Sequence, residues 1–326
     1  MKLLFVGDVM LGRLINEILK KENFAYPWGD TLSIFRNADV RICNLECVIS
    51  DQKIPQKNST PKIFRFRSDT KNIESLKMAG IDIVSLANNH SLDYGEKALL
   101  NMLEILKKAK ISYSGAGKNF KEVSQPVMLE KQRIKIGFIS FSDNEPAWEA
   151  TAKKLGIFYS PIDLKDKRAQ KLFEIIQETK KKVDFLAVSC HWGPNWGYWP
   201  QPSHIPFAHT LIEAGADIVF GHSCHVFQGI EFYKGKPILY SAGDFIDDYA
   251  VDEIERNDQS FIFFIEVGEK GVFRIKLYPT VISKFQVNLV KRIVALEIAN
   301  KMKNLCAEFK TRAEWNGEYL EIFPSA

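Results

Sequence analysis

The sequence lacks any long apolar run. No stretch of about 18 uninterrupted apolar residues occurs in the chain, so the sequence predicts no membrane span. The first residues, MKLLFVGD, form too short an apolar run for a signal peptide, and no small-residue cleavage site follows them. We therefore expect a cytoplasmic protein.

The number of cysteines and the net charge are also low. The chain has 5 cysteines, an odd number without the spacing of a disulfide framework, which indicates a reducing compartment. The net charge is only +4, and no run of like charges is longer than Lys180–Lys182. Such a short run is typical of the solvated end of a helix, so we expect no nucleic-acid partner.

Strand-like and helix-like segments alternate over the first two thirds of the chain. Buried strands are predicted for KLLFVGD, DVRICNLE, IDIVSLANNH, VDFLAVSCHWG and ADIVFGH. The amphipathic helices predicted between them include GEKALLNMLEILKKAK, residues 164–181 and SHIPFAHTLIEAG. From Val226 onward, consecutive strands with Gly and Lys turns predict an antiparallel portion, and residues 288–309 predict one long helix. The pattern predicts an α/β domain over residues 1–285 and a helical extension over residues 286–326, without a linker.

The predicted strands end in residues that can bind a metal. Ligands of an open α/β sheet bind beyond the carboxyl ends of its strands. Five predicted strands place there Asp8, Asn44, Glu46, Asn88, Asn89, His90, His191, His222 and His225. Any one of these residues alone is more often a turn or cap residue. The whole set predicts one or two divalent transition-metal ions; its mixed nitrogen and oxygen donors favour Mn, Fe or Zn over Mg and Ca.

Six motifs give the chain a family resemblance. They are GDVMLGR, NLE, NNHSLDYG, HWG, GADIVFGHSCH and YSAGDF. In order and rough spacing they resemble the CapA-type capsule biosynthesis proteins. That group is associated with poly-γ-glutamate synthesis and belongs to the calcineurin-like metallophosphoesterase superfamily. The resemblance covers residues 1–245 and implies a calcineurin-like four-layer α/β/β/α sandwich of two mixed sheets, with a C-terminal helical extension. It also suggests other polyglutamate-synthesis proteins as partners.

The resemblance implies a role for each strand-end residue. The implied ligands are Asp8 and His225 for a first metal, Asn89, His191 and His222 for a second, and Glu46 as a bridge. His90 resembles the superfamily's general acid, which protonates the leaving oxygen of a phosphoester. An imidazole suits this role because its unperturbed pKa is about 6.5. Asp93 either orients His90 or caps the helix that starts near Tyr94.

The chain departs from the family's pattern around the predicted pocket. Many metallophosphoesterases begin with Asp-x-His, but Asp8 is followed by Val9 and Met10, so the first metal site lacks one imidazole. Ser223 and Cys224 replace the middle of Gly-His-His-Pro-His, and both outer histidines remain. Further departures are Asn195, Trp196, His204 and Asp244. They indicate a divergent subgroup with a different substrate.

An anionic substrate, either a small molecule or a polymer, is expected at this pocket. The candidate contacts are Arg13, Asn44, Arg65, Arg67, Trp192 and His204. Arg65 and Arg67 alternate with Phe64 and Phe66, so both point to one face of a strand. A guanidinium pairs equally well with phosphate or carboxylate and does not distinguish a phosphoester from polyglutamate. The aromatic loop HWGPNWGYWPQPSH is expected to form a wall of the pocket.

Three functions fit these residues. The first, which we predict, is metal-dependent hydrolysis of phosphoesters with His90 as the general acid. The second is hydrolysis or transfer at a γ-glutamyl amide, which the family association suggests and metal chemistry permits. The third is non-catalytic binding of an anionic polymer during polyglutamate synthesis. The first two functions require His90 and at least one metal ion, and the third requires neither.

Overall fold

A computed structural model describes residues 1–55, 62–268 and 271–323. The α-helices in these ranges are α1 (Arg13–Ile18), α2 (Leu32–Phe35), α3 (Ile73–Met78), α4 (Glu96–Ala109), α5 (Phe120–Val123), α6 (Lys167–Lys180), α7 (His204–Ala214) and α8 (Arg292–Glu308). The strands are β1 (Lys2–Val9), β2 (Val40–Leu45), β3 (Val48–Ile49), β4 (Arg67–Ser68), β5 (Ile83–Ser85), β6 (Ser112–Ser114), β7 (Ala116–Gly117), β8 (Val127–Lys131), β9 (Ile134–Ser142), β10 (Gly156–Ile157), β11 (Phe185–His191), β12 (Ile218–His222), β13 (Ile230–Tyr233), β14 (Lys236–Leu239), β15 (Asp244–Ile246), β16 (Gln259–Gly268), β17 (Gly271–Ser283), β18 (Gln286–Leu289), β19 (Arg312–Trp315) and β20 (Leu320–Phe323). Short 3-10 helices cover Tyr26–Thr31, Thr70–Asn72 and Pro146–Trp148.

Two large mixed sheets form the centre of the fold. The strand order in the first is β19-β20-β17-β16-β1-β2-β5-β6, with β15 paired to β1 and β18 paired to β17. The order in the second is β13-β14-β12-β11-β9-β8. In both sheets the strands in the first two thirds of the chain are mainly parallel, whereas β13–β14 and β16–β17 are antiparallel. The predicted change to antiparallel pairing after Val226 is therefore confirmed.

The alternation of side chains in β1 shows how the layers are built. Successive residues of a strand point to opposite faces. Leu3 and Phe5 lie in an apolar cluster with residues of the second sheet, such as Phe220, whereas Leu4 and Val6 lie in a cluster with residues of α3 and α4. A third cluster joins the outer face of the second sheet to α6 and α7. The layers are thus helix, sheet, sheet and helix, which confirms the predicted sandwich.

The helices follow the periodicity that predicts them. Helix α6 lies within the predicted segment 164–181, and its N-cap, Asp166, accepts a hydrogen bond from the backbone N–H of Arg168 at 2.8 Å. Helix α7 ends before Gly215, whose φ of 125° belongs to the region that glycine tolerates. Within the described ranges, no helix is long and apolar enough to cross a membrane.

The C-terminal segment is attached to the first sheet. Helix α8 buries Ile298, Ala299 and Met302 in the cluster between the two sheets. Strand β20 then pairs antiparallel with β17, with Ile322 opposite Ile275, and β19 pairs with β20. The predicted helical extension over residues 286–326 therefore contains one helix and also the strands β18, β19 and β20, which the sequence pattern did not indicate.

Candidate metal centre

Strand register brings the predicted ligands to one edge of the sandwich. In the first sheet, Asp8 of β1 lies opposite Asn44 of β2 on one side and opposite Asp244 of β15 on the other, in parallel pairing. In the second sheet, His191 of β11 lies opposite His222 of β12. Because these strands end at the same level, their terminal side chains meet between the two sheets.

Two glycines permit the close backbone approach at this edge. A Cβ atom on Gly7 would lie 1.8 Å from the carbonyl oxygen of Gly243, and one on Gly221 would lie 2.0 Å from that of Tyr240. A side chain at either position would push the neighbouring strand away. Gly7 thereby allows the pairing that places Asp244 beside Asp8.

One candidate ligand group consists of Asp8, His191 and His222. The Nδ1 atoms of His191 and His222 are 2.8 Å apart, and His222 Nδ1 is 3.7 Å from Asp8 Oδ1. All three side chains are buried. The amide of Asn44 donates a hydrogen bond to Asp8 Oδ1 at 2.7 Å, so this predicted substrate residue orients a candidate ligand.

A second group consists of Asp8, Glu46, His225 and Asp244, whose ligand atoms all lie within 4.8 Å of one another. His225 Nδ1 is 2.9 Å from Asp244 Oδ1. His225 has a φ of 57°, which turns the chain back after β12 towards this group. Asp8 is common to both groups, while Glu46 Oε1 lies 3.9 Å from His191 Nε2. The bridging role of Glu46 therefore stays a prediction, and Asp8 is positioned for the same role.

Asp244 is predicted from the sequence as a departure from the family's pattern and not as a ligand. Its pairing with Asp8 depends on β15 joining β1, which no local pattern reveals. The carboxylate of Asp244 adds a donor to the group that lacks the Asp-x-His imidazole.

Several buried polar atoms at this edge have no hydrogen-bond partner among the described residues. They are Asp8 Oδ2, both carboxylate oxygens of Glu46, Asn89 Oδ1, His191 Nε2, Asp244 Oδ2 and Asp247 Oδ2. Unpaired buried carboxylates are costly, and buried charges are normally paired or bound to a metal. The donor set is a mixture of imidazole nitrogen and carboxylate or amide oxygen, which fits Mn, Fe or Zn. These residues therefore fit the predicted metal.

Burial shifts the pKa of carboxylates and imidazoles in opposite directions here. It raises the pKa of Asp8 and of Asp247 to about 6, and it raises that of Glu46 well above its usual range. It lowers the pKa of His222 to about 3 and that of His191 well below its usual value. The imidazoles are thus neutral near pH 7, as metal ligands must be, and the Asp8 carboxyl holds a proton that a metal must displace once the pH falls to about 6 or below.

The affinity of the site for metal should therefore decrease as the pH is lowered below 7. A carboxyl group with a pKa near 6 in the metal-free protein is protonated at pH 5, so binding at pH 5 must release its proton. For each such proton displaced, we expect the affinity for Mn²⁺ or Zn²⁺ to fall about tenfold in total between pH 7 and pH 5, with most of the fall below pH 6. Competition with a chromophoric chelator measures this slope. The Asp8→Asn variant should show a shallower slope, and an affinity independent of pH would contradict the prediction.

The predicted general acid lies beside the two ligand groups with its ring fixed by Asp93. His90 Nδ1 is 2.6 Å from Asp93 Oδ2, and the ring stacks on Phe66 with centroids 3.8 Å apart. The Asp93 carboxylate also accepts hydrogen bonds from the backbone of Phe66 at 2.7 Å and from Lys62 Nζ at 3.0 Å. Helix α4 begins at Glu96, with no side-chain cap, so Asp93 orients His90 and does not cap this helix.

His90 is less basic than the unperturbed imidazole that the sequence analysis assumed. Burial lowers its pKa to about 4, although Asp93 opposes this shift. The ring is therefore neutral near pH 7 and holds its Nδ1 proton towards Asp93, which leaves Nε2 to a substrate. A bound phosphate would raise this pKa because nearby negative charge stabilises the imidazolium.

A cavity of about 650 Å³ opens in front of this site. It is lined by Arg13, Lys62, Ile63, Phe64, Phe66, Asn89, His90, Asn195, Trp196, His225, Tyr249 and Ala250. The predicted substrate residue Arg13 thus contributes to the lining, as do Asn195 and Trp196, two positions where the chain departs from the family's pattern. The predicted ligands Asn89 and His225 also line it, so the cavity gives access to the candidate metal centre.

The structure places other predicted substrate residues away from this cavity lining. Arg67 donates to the carbonyl of Ser50 and pairs with Asp69 at 2.8 Å. Trp192 and His204 are buried and stack on each other with centroids 4.7 Å apart. Arg65 also lies outside the lining. The substrate roles of these four residues stay predictions.

The aromatic loop lines the cavity with Trp196, and helix α8 contacts the loop at Tyr198. The ring of Trp196 lies edge-on to His225, with centroids 5.8 Å apart. Two residues on, the ring of Tyr198 lies 3.6 Å from Nζ of Lys301 in α8, and its hydroxyl donates to the carbonyl of Glu255. Asn195 and Trp196 are thus the residues of the loop that line the cavity, and Lys301 of the C-terminal helix contacts the nearby Tyr198.

A sandwich of two mixed sheets between helices, with two His and Asp ligand groups at the strand ends, defines a metallophosphoesterase-like fold. The family model described as "Bacterial capsule synthesis protein PGA_cap" matches residues 2–249. The chain belongs to this family, and the resemblance to CapA-type proteins is confirmed.

Named relatives agree with the family. The chain is 31% identical to the capsule biosynthesis protein CapA of Bacillus anthracis, over 74% of this chain and 59% of the relative. It is 29% identical to the PGA biosynthesis protein CapA of Bacillus subtilis, over 84% and 70%. It is 26% identical to a probable polyglutamine synthesis accessory protein of Mycobacterium tuberculosis, over 98% and 95%.

Solved structures show a more distant similarity. A hypothetical protein from Thermus thermophilus has a TM-score of 0.47 and 17% identity, covering 88% of this chain and 96% of that one. The sulfate thiohydrolase SoxB of the same organism, in complex with glycerol, has a TM-score of 0.47 and 10% identity, covering 95% and 60%.

Proposed function

We propose that this protein is a metal-dependent phosphoester hydrolase that acts in capsule or poly-γ-glutamate synthesis. The observation that carries the proposal is the convergence of two ligand groups, sharing Asp8, near the His90–Asp93 pair, with His90 and His225 lining one cavity. Two divalent ions bound to these groups would supply Lewis-acid activation of water and would neutralise charge on the phosphoryl oxygens.

The protein's own residues have separable roles in this proposal. Asp8, Glu46, His225 and Asp244 hold one ion, and His191 and His222, with Asp8 and the amide oxygen of Asn89, hold the other. Asp93 keeps the His90 proton on Nδ1 and fixes the ring, and Nε2 faces the leaving oxygen of the ester. His90 acquires its second proton as the phosphate binds, and then donates it to the leaving group.

Non-catalytic binding of an anionic polymer has less support. Among the described residues that line the cavity, both cations are already paired: Lys62 with Asp93 and Glu145, and Arg13 with Asp248 at 3.3 Å. A protein that only binds polymer does not require a general acid such as the buried His90–Asp93 pair. Hydrolysis or transfer at a γ-glutamyl amide uses the same metal groups, and it is an alternative outcome of the experiment that follows.

Chelation should abolish phosphoester hydrolysis, and one metal should restore it. We expect the protein depleted of metal with a chelator and dialysed to show no hydrolysis of alkyl phosphomonoesters or diesters. Addition of Mn²⁺, Fe²⁺ or Zn²⁺ should restore the rate, because the ions activate the water. The His191→Ala, His222→Ala variant is the control, since it should not respond. Release of glutamate from γ-glutamyl peptides, with no phosphate released from any ester, would instead favour the amide reaction.

A further inference from the structure

The lining of the cavity indicates which phosphoesters the protein accepts. We propose that the substrate carries a planar, uncharged ring on the alcohol side of its phosphoester, and that Trp196 is the residue that selects this ring. This inference rests on the proposed function for the identity of the anionic group. It specifies the part of the substrate that the metal centre does not touch.

The first support is the shape of the lining at the mouth of the cavity. Phe64 and Trp196 keep 58% and 46% of their surfaces exposed there, beside Ile63, which is 92% exposed. Exposed large apolar side chains that line one concave surface mark a binding site more often than a free surface. Aromatic rings bind planar groups by stacking at little conformational cost.

The second support is the charge of the same surface. Lys62 is 3.0 Å from Asp93 and 3.3 Å from Glu145, and Arg13 lies 3.3 Å from Asp248. Among the described residues that line the cavity, each cation thus already has a carboxylate partner. An extended polyanion needs unpaired cations along its path, and a neutral ring does not.

The third support is the volume of the cavity. A cavity of about 650 Å³ is within the range of small-molecule sites and is much larger than a phosphate group requires. Asn89 and His225 of the candidate metal centre line part of the cavity, and the space beside Phe64 and Trp196 remains for the rest of the substrate. A substrate with a ring fills this space, whereas a simple alkyl phosphate leaves it to water.

Binding of phosphonates tests the proposal without turnover, because their carbon–phosphorus bond is not cleaved. The probes are benzylphosphonate and ethylphosphonate, which carry the same anionic group and differ in the ring. Titration calorimetry of the Mn²⁺-loaded protein should show benzylphosphonate binding at least about tenfold more tightly. In Trp196→Ala the two should bind within about twofold of each other. Trp199→Ala is the matched control, since Trp199 lies in the same loop, is 55% exposed and is outside the cavity lining, and it should keep the preference.

Equal binding of the two phosphonates by the native protein would overturn the proposal, as would displacement of benzylphosphonate by short poly-γ-glutamate at equal concentration. The same experiments distinguish failure of the ring site from failure of the proposed hydrolase function. If benzylphosphonate is preferred and Trp196→Ala removes the preference, but no phosphoester is hydrolysed, the ring site stands and the hydrolase proposal falls. If phosphoesters are hydrolysed with no effect of a ring on binding, only the ring site is rejected.

Discussion

Replacing Asp8 with alanine should remove both metal ions from the protein. Asp8 belongs to both ligand groups, so its loss takes a carboxylate from each. Loss of a residue that only orients a ligand weakens metal binding about 10- to 100-fold, and loss of a shared ligand should exceed about 100-fold. We expect purified Asp8→Ala to contain almost no Mn, Fe or Zn by elemental analysis, against about two equivalents in the native protein.

Two further variants make this result specific. The His191→Ala, His222→Ala protein should keep about one equivalent, because Asp8, Glu46, His225 and Asp244 remain together. Asp143→Ala is the matched control. Asp143 directly follows β9 at the same edge of the second sheet, burial raises its pKa to about 6, and it belongs to neither ligand group. Native metal content in Asp8→Ala, or its loss in Asp143→Ala, would contradict the assignment.

Replacing His90 with alanine should slow hydrolysis of alkyl phosphoesters by about 10²- to 10⁴-fold in kcat. Removal of the general acid leaves the departing alkoxide without a proton, while both metal groups stay intact. Metal content should therefore equal that of the native protein. The control is His209→Ala, a histidine outside the site that pairs with Glu231 at 2.9 Å and stacks on Tyr233. It should retain full activity.

A comparison of esters with different leaving groups distinguishes acid catalysis by His90 from a structural effect of its replacement. A p-nitrophenolate ion leaves readily without a proton, so His90→Ala should slow p-nitrophenyl phosphate hydrolysis much less than alkyl phosphate hydrolysis. Equal slowing of both esters would show that His90 acts by positioning alone. Undiminished hydrolysis of the alkyl ester would remove His90 from the mechanism altogether.

The parts of the fold that depend on local pattern were predictable from sequence. The parallel strands and helices α4, α6 and α7 were correct because buried strands and amphipathic helices differ in hydrophobic periodicity. Strands β19 and β20 were missed because each has only four residues, and their stability comes from pairing with β17. Such distant pairing leaves no periodic signal.

The same distinction applies to the site. The convergence of Asp8, His191 and His222 was predictable because a strand's carboxyl end is visible in the sequence and parallel strands end together. Asp244 was missed because its role follows from the register of β15 against β1. Lys62 was missed because a lysine in a loop is ordinarily solvated, and its contacts with Asp93 and Glu145 depend on tertiary structure. Trp192 belongs to the predicted aromatic loop, but its indole N–H bonds the carbonyl of Tyr240 inside the core.

The contact between Lys301 and Tyr198 limits how this protein can be recombined with its relatives. The family model matches residues 2–249, so α8 lies outside the matched region, yet it supports the loop that carries Trp196. A chimera that takes its last 40 or so residues from a relative would replace α8, and with it the contact between Lys301 and Tyr198. Trp196 and Lys301 should therefore be transferred as a unit when substrate preference is moved from one family member to another.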